Sequence, residues 1–174
     1  MKNTIHYFAY GSNLHPVRLI ERVPSAVLIG VCELPGFRLT FHKKSNDGSS
    51  KCNMFSASKE TDVVHGAIYE INNEHKQNLD KFEGKGYGYI DTQISILHDE
   101  TQYNCFTYIA QQSHIVDNLA PYHWYKNMVI LGAKYLNFPT NYVSLIESVI
   151  SKEDPDEKRR KEKNILLERM TKFR

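Results

Sequence analysis

The run Ile5-His6-Tyr7-Phe8-Ala9-Tyr10, ending abruptly at Gly11, constrains this chain more than any other segment. It is nearly continuous in aromatic and apolar side chains, so it reads as a strand buried on both faces, central in a sheet rather than at its edge. Such a strand needs neighbours on either side and cover above and below. With 174 residues, 41% apolar and 11% aromatic, the chain has enough material for one core and one domain.

The remaining punctuation predicts what surrounds that strand. A short helical segment is expected within Asn13 to Glu21. Ala26 to Cys32 and Phe37 to Phe41 read as strands around the turn pair Pro35-Gly36, with Phe37, Leu39 and Phe41 alternating against Arg38 and Thr40. Ser45 to Lys51, which contains Asn46-Asp47-Gly48, reads as a flexible loop, and Met54 to Ser58 as a short strand. Val63 to Ile71 is a stronger strand, interrupted at Gly66 where another group comes close. Asn72 or Asn73 is placed to cap a helix with Leu79 and Phe82 on its inner face. Tyr89 to Leu97 and Tyr103 to Ala110 form a hairpin around His98-Asp99-Glu100-Thr101. Helical spacing then dominates: Tyr122 to Leu136, and a second helix from Pro139 through Tyr142, Leu145, Ile146, Val149 and Ile150. Strands first and helices last predict an α+β fold.

Charge and cysteine usage narrow the function classes. The net charge of +2 gives no whole-chain argument for nucleic acid or for an acidic membrane surface. The distribution is uneven: Pro155 to Arg174 carries eight Lys/Arg and four Asp/Glu. Early acids and later bases in that tail suit a helix, with Ile165, Leu166, Leu167, Met170 and Phe173 as a stripe for docking on the body or on a second subunit. Cys32, Cys52 and Cys105 are widely spaced and lack CxxC or Cys/His ligand spacing, as expected of buried thiols in a reducing compartment. No secretory leader and no membrane span are read in the sequence, so the expectation is a cytoplasmic protein. Eight histidines contain no HExxH, so no metal site is expected. Ser12 lacks a Gly-x-Ser-x-Gly elbow, and the separation of Cys105 and His114 carries no geometric information.

The chemistry is concentrated in two segments. Tyr7-Phe8-Ala9-Tyr10-Gly11-Ser12-Asn13-Leu14 is a strand breaking into a glycine turn, whose backbone N–H groups can hold a carboxylate or an oxyanion. Leu79-Asp80-Lys81-Phe82-Glu83-Gly84 places one carboxylate at the end of a helical turn, just before a glycine. An anion cradle and one acid/base carboxylate suffice for acyl chemistry.

In this order and combination the two segments resemble the γ-glutamylcyclotransferase family, also described as AIG2-like, in which a Tyr-Gly-Ser-Asn-Leu loop and a glutamate from a later Leu-Asp-x-x-Glu-Gly segment form the active site. Pro24-Ser25-Ala26, Phe37 to Phe41, His65-Gly66-Ala67-Ile68-Tyr69 and Leu131-Gly132-Ala133-Lys134 fall where the family has similar segments. The likeness covers about 5 to 150, dividing the chain into a domain at 1–150 and a charged C-terminal helix or tail at 151–174. It implies a small mixed, partly closed, β-barrel-like sheet flanked by helices.

The resemblance also implies a reaction. The α-amine of a γ-glutamyl group attacks its own γ-carbonyl, releasing 5-oxoproline and a free amine or amino acid, with no metal or cofactor. Glu83 would be the general acid/base, and Gly11, Ser12, Asn13 and Leu14 would offer backbone N–H groups. Gly11 is expected at positive φ. Tyr10 would pack beneath the loop, and Tyr125 would reach the ligand. Tyr89 would do so too, with Tyr87 as the alternative because the interval from Glu83 is one residue shorter than in the family. A carboxylate with a free pKa of about 4.3 is a weak base for an ammonium, so an apolar pocket of Phe82, Tyr87 and Tyr89 is expected around Glu83. Cys52 to Ala57 replaces a Gly-rich strand with bulkier side chains that would narrow the amine side of the site. The implied partner is a small γ-glutamyl molecule, not nucleic acid or a membrane, and the resemblance admits a homodimer. Intermolecular acyl transfer or hydrolysis at the same site, and a non-catalytic γ-glutamyl-binding protein, remain the alternatives.

Overall fold

In the computed structural model, which describes residues 3–57, 59 and 61–173, the aromatic run forms strand β1, Thr4–Ala9. It is central, as its composition predicts. It pairs antiparallel with β5, Val63–Asn72, and parallel with β7, Thr101–Ala110. Phe8 and Ala9 are wholly buried, which places the core against both faces of β1.

The sheet is completed by β2, Val27–Pro35, outside β5, and by β6, Tyr89–His98, outside β7, in the order β2-β5-β1-β7-β6. It is mixed, since only β1 and β7 run parallel. Its two edges approach where Gly30 of β2 meets His98 of β6: a Cβ on Gly30 would lie 2.0 Å from His98 Nε2. No hydrogen-bonded ladder joins these edges among the described residues, so the sheet curls toward a barrel without closing. The β6–β7 hairpin turns at Asp99 and Glu100, both at positive φ, the twist such a turn requires.

Pro35-Gly36 is the expected turn, with Gly36 at φ +77°, but its two strands do not pair with each other. The chain leaves the main sheet there, and β3, Phe37–Lys44, pairs with β4, Ser50–Ser56, in a separate ribbon. Within the expected strand end at Ser58, that residue lies outside the described residues. The ribbon is tied back to β7 where Ala110 N donates to Asn53 Oδ1 at 2.8 Å. Between β3 and β4, the expected flexible loop is an ordered turn: Asp47 accepts from Ser49 N, Ser49 Oγ and Lys51 Nζ at 2.7–3.0 Å, and Ser49 and Ser50 are buried.

Among the described residues, five α-helices cover the sheet. Helix α1, Pro16–Arg22, begins with proline at its first position, and His15 Nδ1 accepts from Val17 N. Helix α2, Lys76–Glu83, follows a single 3₁₀ turn; Asn72 precedes that turn but makes no side-chain cap. Leu79 points inward as expected, whereas Phe82 is 59% exposed. Helix α3, His123–Tyr135, packs beside α4, Thr140–Ser148, which ends before the expected Ile150 and leaves Leu145 and Ile150 exposed. Helix α5, Glu157–Lys172, lies against α3 and α1. It buries Leu166 and Met170 but leaves Ile165 facing solvent. All three cysteines are free and buried. No described helix is long and apolar enough to cross a membrane.

Candidate active site

The loop after β1 is held by its own turn and by the core. Leu14 N donates to Gly11 O at 3.1 Å, closing the turn. Leu14 itself is driven into the core: Tyr69 Oη donates to its carbonyl at 2.7 Å, and a Cβ on Gly132 of α3 would lie 2.6 Å from Leu14 Cβ. A glycine in mid-helix costs stability, and here it lets α3 press onto the loop. Ser12 and Asn13 are thereby fixed, and neither backbone N–H has an internal acceptor among the described residues.

Gly11 is not at positive φ, contrary to expectation; the glycines in the left-handed region are Gly36, Gly48, Gly84, Gly86 and Gly88. Space, not backbone sign, explains Gly11. Its ideal Cβ would sit 3.0 Å from Cys52 Cβ on β4. The bulkier residue in the ribbon thus presses directly on the loop.

Glu83 is delivered to the same place by the end of α2. Gly84 adopts φ +67° and its N–H, with that of Lys85, returns to carbonyls of the preceding turn, which stops the helix one residue after the carboxylate. Glu83 Oε1 accepts from Asn13 Nδ2 at 2.9 Å and from Arg22 Nη1 at 2.7 Å. Arg22 also donates to Asn13 Oδ1 at 3.1 Å, so loop, α1 and α2 meet in one triangle. Oε2 has no partner among the described residues. The expected apolar surroundings are not formed: Phe82 stacks on the Arg22 guanidinium from the outer side, at 5.1 Å, and Tyr87 is 81% exposed. Two glycines at positive φ, Gly86 and Gly88, turn the chain after α2 so that Tyr89, not Tyr87, enters the site.

Around Glu83 lies a small inner cavity of about 20 Å³, lined by Tyr7, Tyr10, Gly11, Ser12, Asn13, Cys52, Tyr89, Tyr108 and Tyr125. Of the sequence-predicted residues, only Leu14 is absent from this lining. Tyr10 Oη donates to the Tyr108 carbonyl and Tyr89 Oη to the Cys52 carbonyl. Tyr7 and Tyr125 differ. Tyr7 Oη accepts from Asn13 Nδ2 at 3.1 Å, and Tyr125 Oη accepts from Cys52 N at 3.0 Å, so each retains an O–H to donate.

Burial holds the phenols of Tyr7, Tyr10, Tyr89 and Tyr125 well above their ordinary pKa, with the Glu83 charge adding to the effect. They are hydrogen-bond donors, not bases. Burial likewise pushes the Cys52 thiol up to about 12 and the Cys105 thiol up to about 11, so neither is a ready nucleophile. His114 bonds its neighbour Ser113 in an exposed turn, while Cys105 is enclosed in β7.

Tyr7, Tyr108 and Arg22 are the lining or contacting residues that motif reading missed. Arg22 had a signal, since it lies one helical turn after Arg18 on a short helix that starts at the loop. Tyr108 had none. It arrives only through the parallel pairing of β7 with β1.

This combination of a curled mixed sheet, a tight polar turn after its central strand and one carboxylate facing that turn has close relatives. A family model described as AIG2-like matches residues 63–146. The γ-glutamylcyclotransferase of Bos taurus is 30% identical over 148 residues, spanning 82% of this chain and 77% of its own. That of Homo sapiens is 28% identical over the same shares. A solved structure described as a γ-glutamyl cyclotransferase superposes with a TM-score of 0.81 at 25% identity, covering 95% of this chain and 99% of its own. The chain belongs to the γ-glutamylcyclotransferase family. It is an enzyme with γ-glutamylcyclotransferase-like activity.

Proposed function

We propose that this enzyme cleaves a γ-glutamyl amide by intramolecular attack, with Glu83 as the acid/base. The observation that carries this reading is that Glu83 is, among the described residues, the sole carboxylate lining the inner cavity, in a ring of residues otherwise confined to neutral donors and acceptors. Its free Oε2 takes a proton from the substrate α-ammonium. The freed amine attacks the γ-carbonyl carbon, forming the ring C–N bond and an oxyanion. Glu83 then returns that proton to the departing nitrogen as the original amide C–N bond breaks, and takes the second proton that the ring nitrogen sheds and passes it to the released amine, giving 5-oxoproline and an ammonium with the carboxylate restored. Ring closure within one molecule has effective molarities of about 10⁵–10⁸ M, so no protein nucleophile is needed.

Each lining group has a place in that sequence. Asn13 and Arg22 hold Glu83 Oε1, which leaves Oε2 pointing its lone pairs to the substrate. The Ser12 and Asn13 N–H groups and the free O–H groups of Tyr7 and Tyr125 serve the glutamyl carboxylate and the oxyanion. The inner cavity admits about one water-sized group, so the glutamyl moiety spans its mouth, where Ser12, Glu83, Tyr89 and Tyr125 also border a larger cleft.

The test is mass-spectrometric detection of 5-oxoproline after incubation with γ-glutamyl dipeptides, γ-glutamyl-lysine and glutathione. Glu83→Gln is expected to lose about 10²–10⁴ in rate while retaining its melting temperature within a few degrees. Release of free glutamate in place of 5-oxoproline would transfer the reading to hydrolysis.

A further inference from the structure

The cleft outside the inner cavity has a volume of about 330 Å³, and its wall carries seven Lys and Arg side chains against Asp47 and Glu83. Three of the cations are already paired: Arg22 with Glu83, Lys51 with Asp47 and Arg159 with Asp154. Arg18 of α1, Lys43 of β3 and Lys163 of α5 have no carboxylate partner among the described residues. Arg18 is only 6% exposed, and its Nε has no hydrogen-bond partner among the described residues. Lys43 is equally buried, with its Nζ 4.5 Å from the centre of the Tyr89 ring. Gly88 leaves the room for it, since a Cβ there would lie 2.7 Å from Lys43 Cε.

Burying cations without counter-ions is unfavourable, and more so when they crowd together. Desolvation, with the like charge of Arg22 next, brings Arg18 down to about 9. Desolvation brings Lys51 down to about 8 despite Asp47, with Arg18 and Lys43 adding to the fall. Desolvation and the nearby Arg18 also lower Lys163. Five separate elements bring cations here, in excess over the carboxylates, and the convergence borders Ser12, Glu83 and Tyr125 directly. An anion in the cleft would relieve it.

We infer that this cleft is the seat of the departing amine, and that it accepts an amine bearing two or more negative charges, from carboxylates or from phosphate. The inference rests on the γ-glutamyl reading above, in which the glutamyl carboxylate is held by the loop and the amide nitrogen faces Glu83. The amine portion must then project across Tyr89 and Tyr125 into the cations. A single amino-acid carboxylate would leave most of that charge unanswered.

Two measurements test it. In the first, kcat/KM is compared for γ-glutamyl-alaninamide, γ-glutamyl-alanine, γ-glutamyl-glutamate and γ-glutamyl-O-phosphoserine at low and high salt. It is expected to rise about tenfold or more from the uncharged to the multiply charged amines, and the advantage is expected to shrink with salt. The last two substrates distinguish carboxylate from phosphate as the preferred charge. Arg18→Met and Lys163→Met are expected to reduce the ratio of multiply charged to uncharged kcat/KM by about tenfold. Arg18→Met should also leave the melting temperature equal or higher, because an unpaired buried charge has been removed. A flat series, or variants that depress all four substrates equally, would overturn the inference.

In the second measurement, glutarate and inorganic phosphate are titrated calorimetrically into Glu83→Gln. This readout needs no turnover. Saturable binding of either anion, lost in the Arg18→Met double variant, supports the subsite, and no binding of either overturns it. Turnover with no charge preference defeats the subsite alone. Anion binding with no 5-oxoproline from any substrate defeats the γ-glutamyl reading, and the leaving-group assignment with it.

Discussion

At the scale of single residues, the contact between Gly11 and Cys52 decides how tightly the site can close. A methyl group on residue 11 would meet Cys52 Cβ at 3.0 Å and approach Tyr125 Oη at 3.7 Å. The loop, the ribbon and a candidate ligand-facing tyrosine are thus wedged together at one point. Gly11→Ala is expected to cost about 1–3 kcal/mol as overpacking, most of it seen as a fall in kcat/KM because the displaced atoms line the cavity. Cys52→Gly combined with it should restore much of the loss, since the obstruction is steric and φ at residue 11 is ordinary. Equal losses in the single and double variants would place the defect in the backbone instead. The pairing of Glu83 with the loop was legible from the sequence because both segments carry local signatures: a strand that ends in a turn, and a helix that stops at a glycine. The surroundings of Glu83 were not. Phe82 and Tyr87 adjoin it in sequence, but both face outward, Phe82 from the last turn of α2 and Tyr87 beyond the stop at Gly84, while Asn13 comes from the loop and Arg22 from α1, 70 and 61 residues earlier.

At the scale of elements, the terminal helix is fastened by one carboxylate. Asp154 is wholly buried at its side chain and accepts from Arg159 Nε and Nη2 at 2.7 and 2.6 Å, from Trp124 Nε1 at 2.8 Å and from Asp156 N at 3.0 Å. These bonds, led by that from Arg159, hold its carboxyl far below the usual carboxylate range. Asp156 then caps α5 by accepting from Arg159 N, so one short segment both starts the helix and pins it to α3. Asp154→Asn removes the charge but leaves Arg159 and Trp124 in place, and is expected to cost about 3–5 kcal/mol. The urea midpoint, followed by the fluorescence of the chain's one tryptophan, measures it. An unchanged midpoint would mean that Leu166 and Met170 suffice to dock the helix. Periodicity foretold the helix and part of its stripe, but not this anchor, whose partners are thirty residues apart. The same limit applied to the strands. The β6–β7 hairpin was legible because its turn is local, whereas the separation of β3 from β2 and the parallel union of β1 with β7 depend on which long-range pairings bury the most apolar surface.

At the scale of the whole molecule, the histidines packed into it make stability depend on pH. His15 is 1% exposed, between the rings of Tyr135 and Phe173, and burial brings its pKa down to about 4. Its Nδ1 must remain unprotonated to accept from Val17 N at the start of α1. His42, beside Asn53, and His65, against Phe138 and Tyr142, are also lowered by burial. In the unfolded chain each returns to about 6.5, so below that pH the unfolded state binds more protons than the folded one. The histidine contribution is therefore full above about pH 6.5 and declines as pH falls toward 4. His15 alone accounts for up to about 3 kcal/mol of the decline, at 1.36 kcal/mol per unit. Asp154, lowered rather than raised, begins to lose its contribution as pH falls into the ordinary carboxylate range, where the unfolded-state carboxyl protonates, so it does not act in the upper part of this window. Urea midpoints at about pH 7.5, 6.5, 5.5 and 4.5 should fall in that order for the native chain. In His15→Gln, whose side-chain oxygen can still accept from Val17 N without titrating, the slope should be visibly shallower. Parallel slopes in the two proteins would remove His15 from the account and leave the decline to His42 and His65.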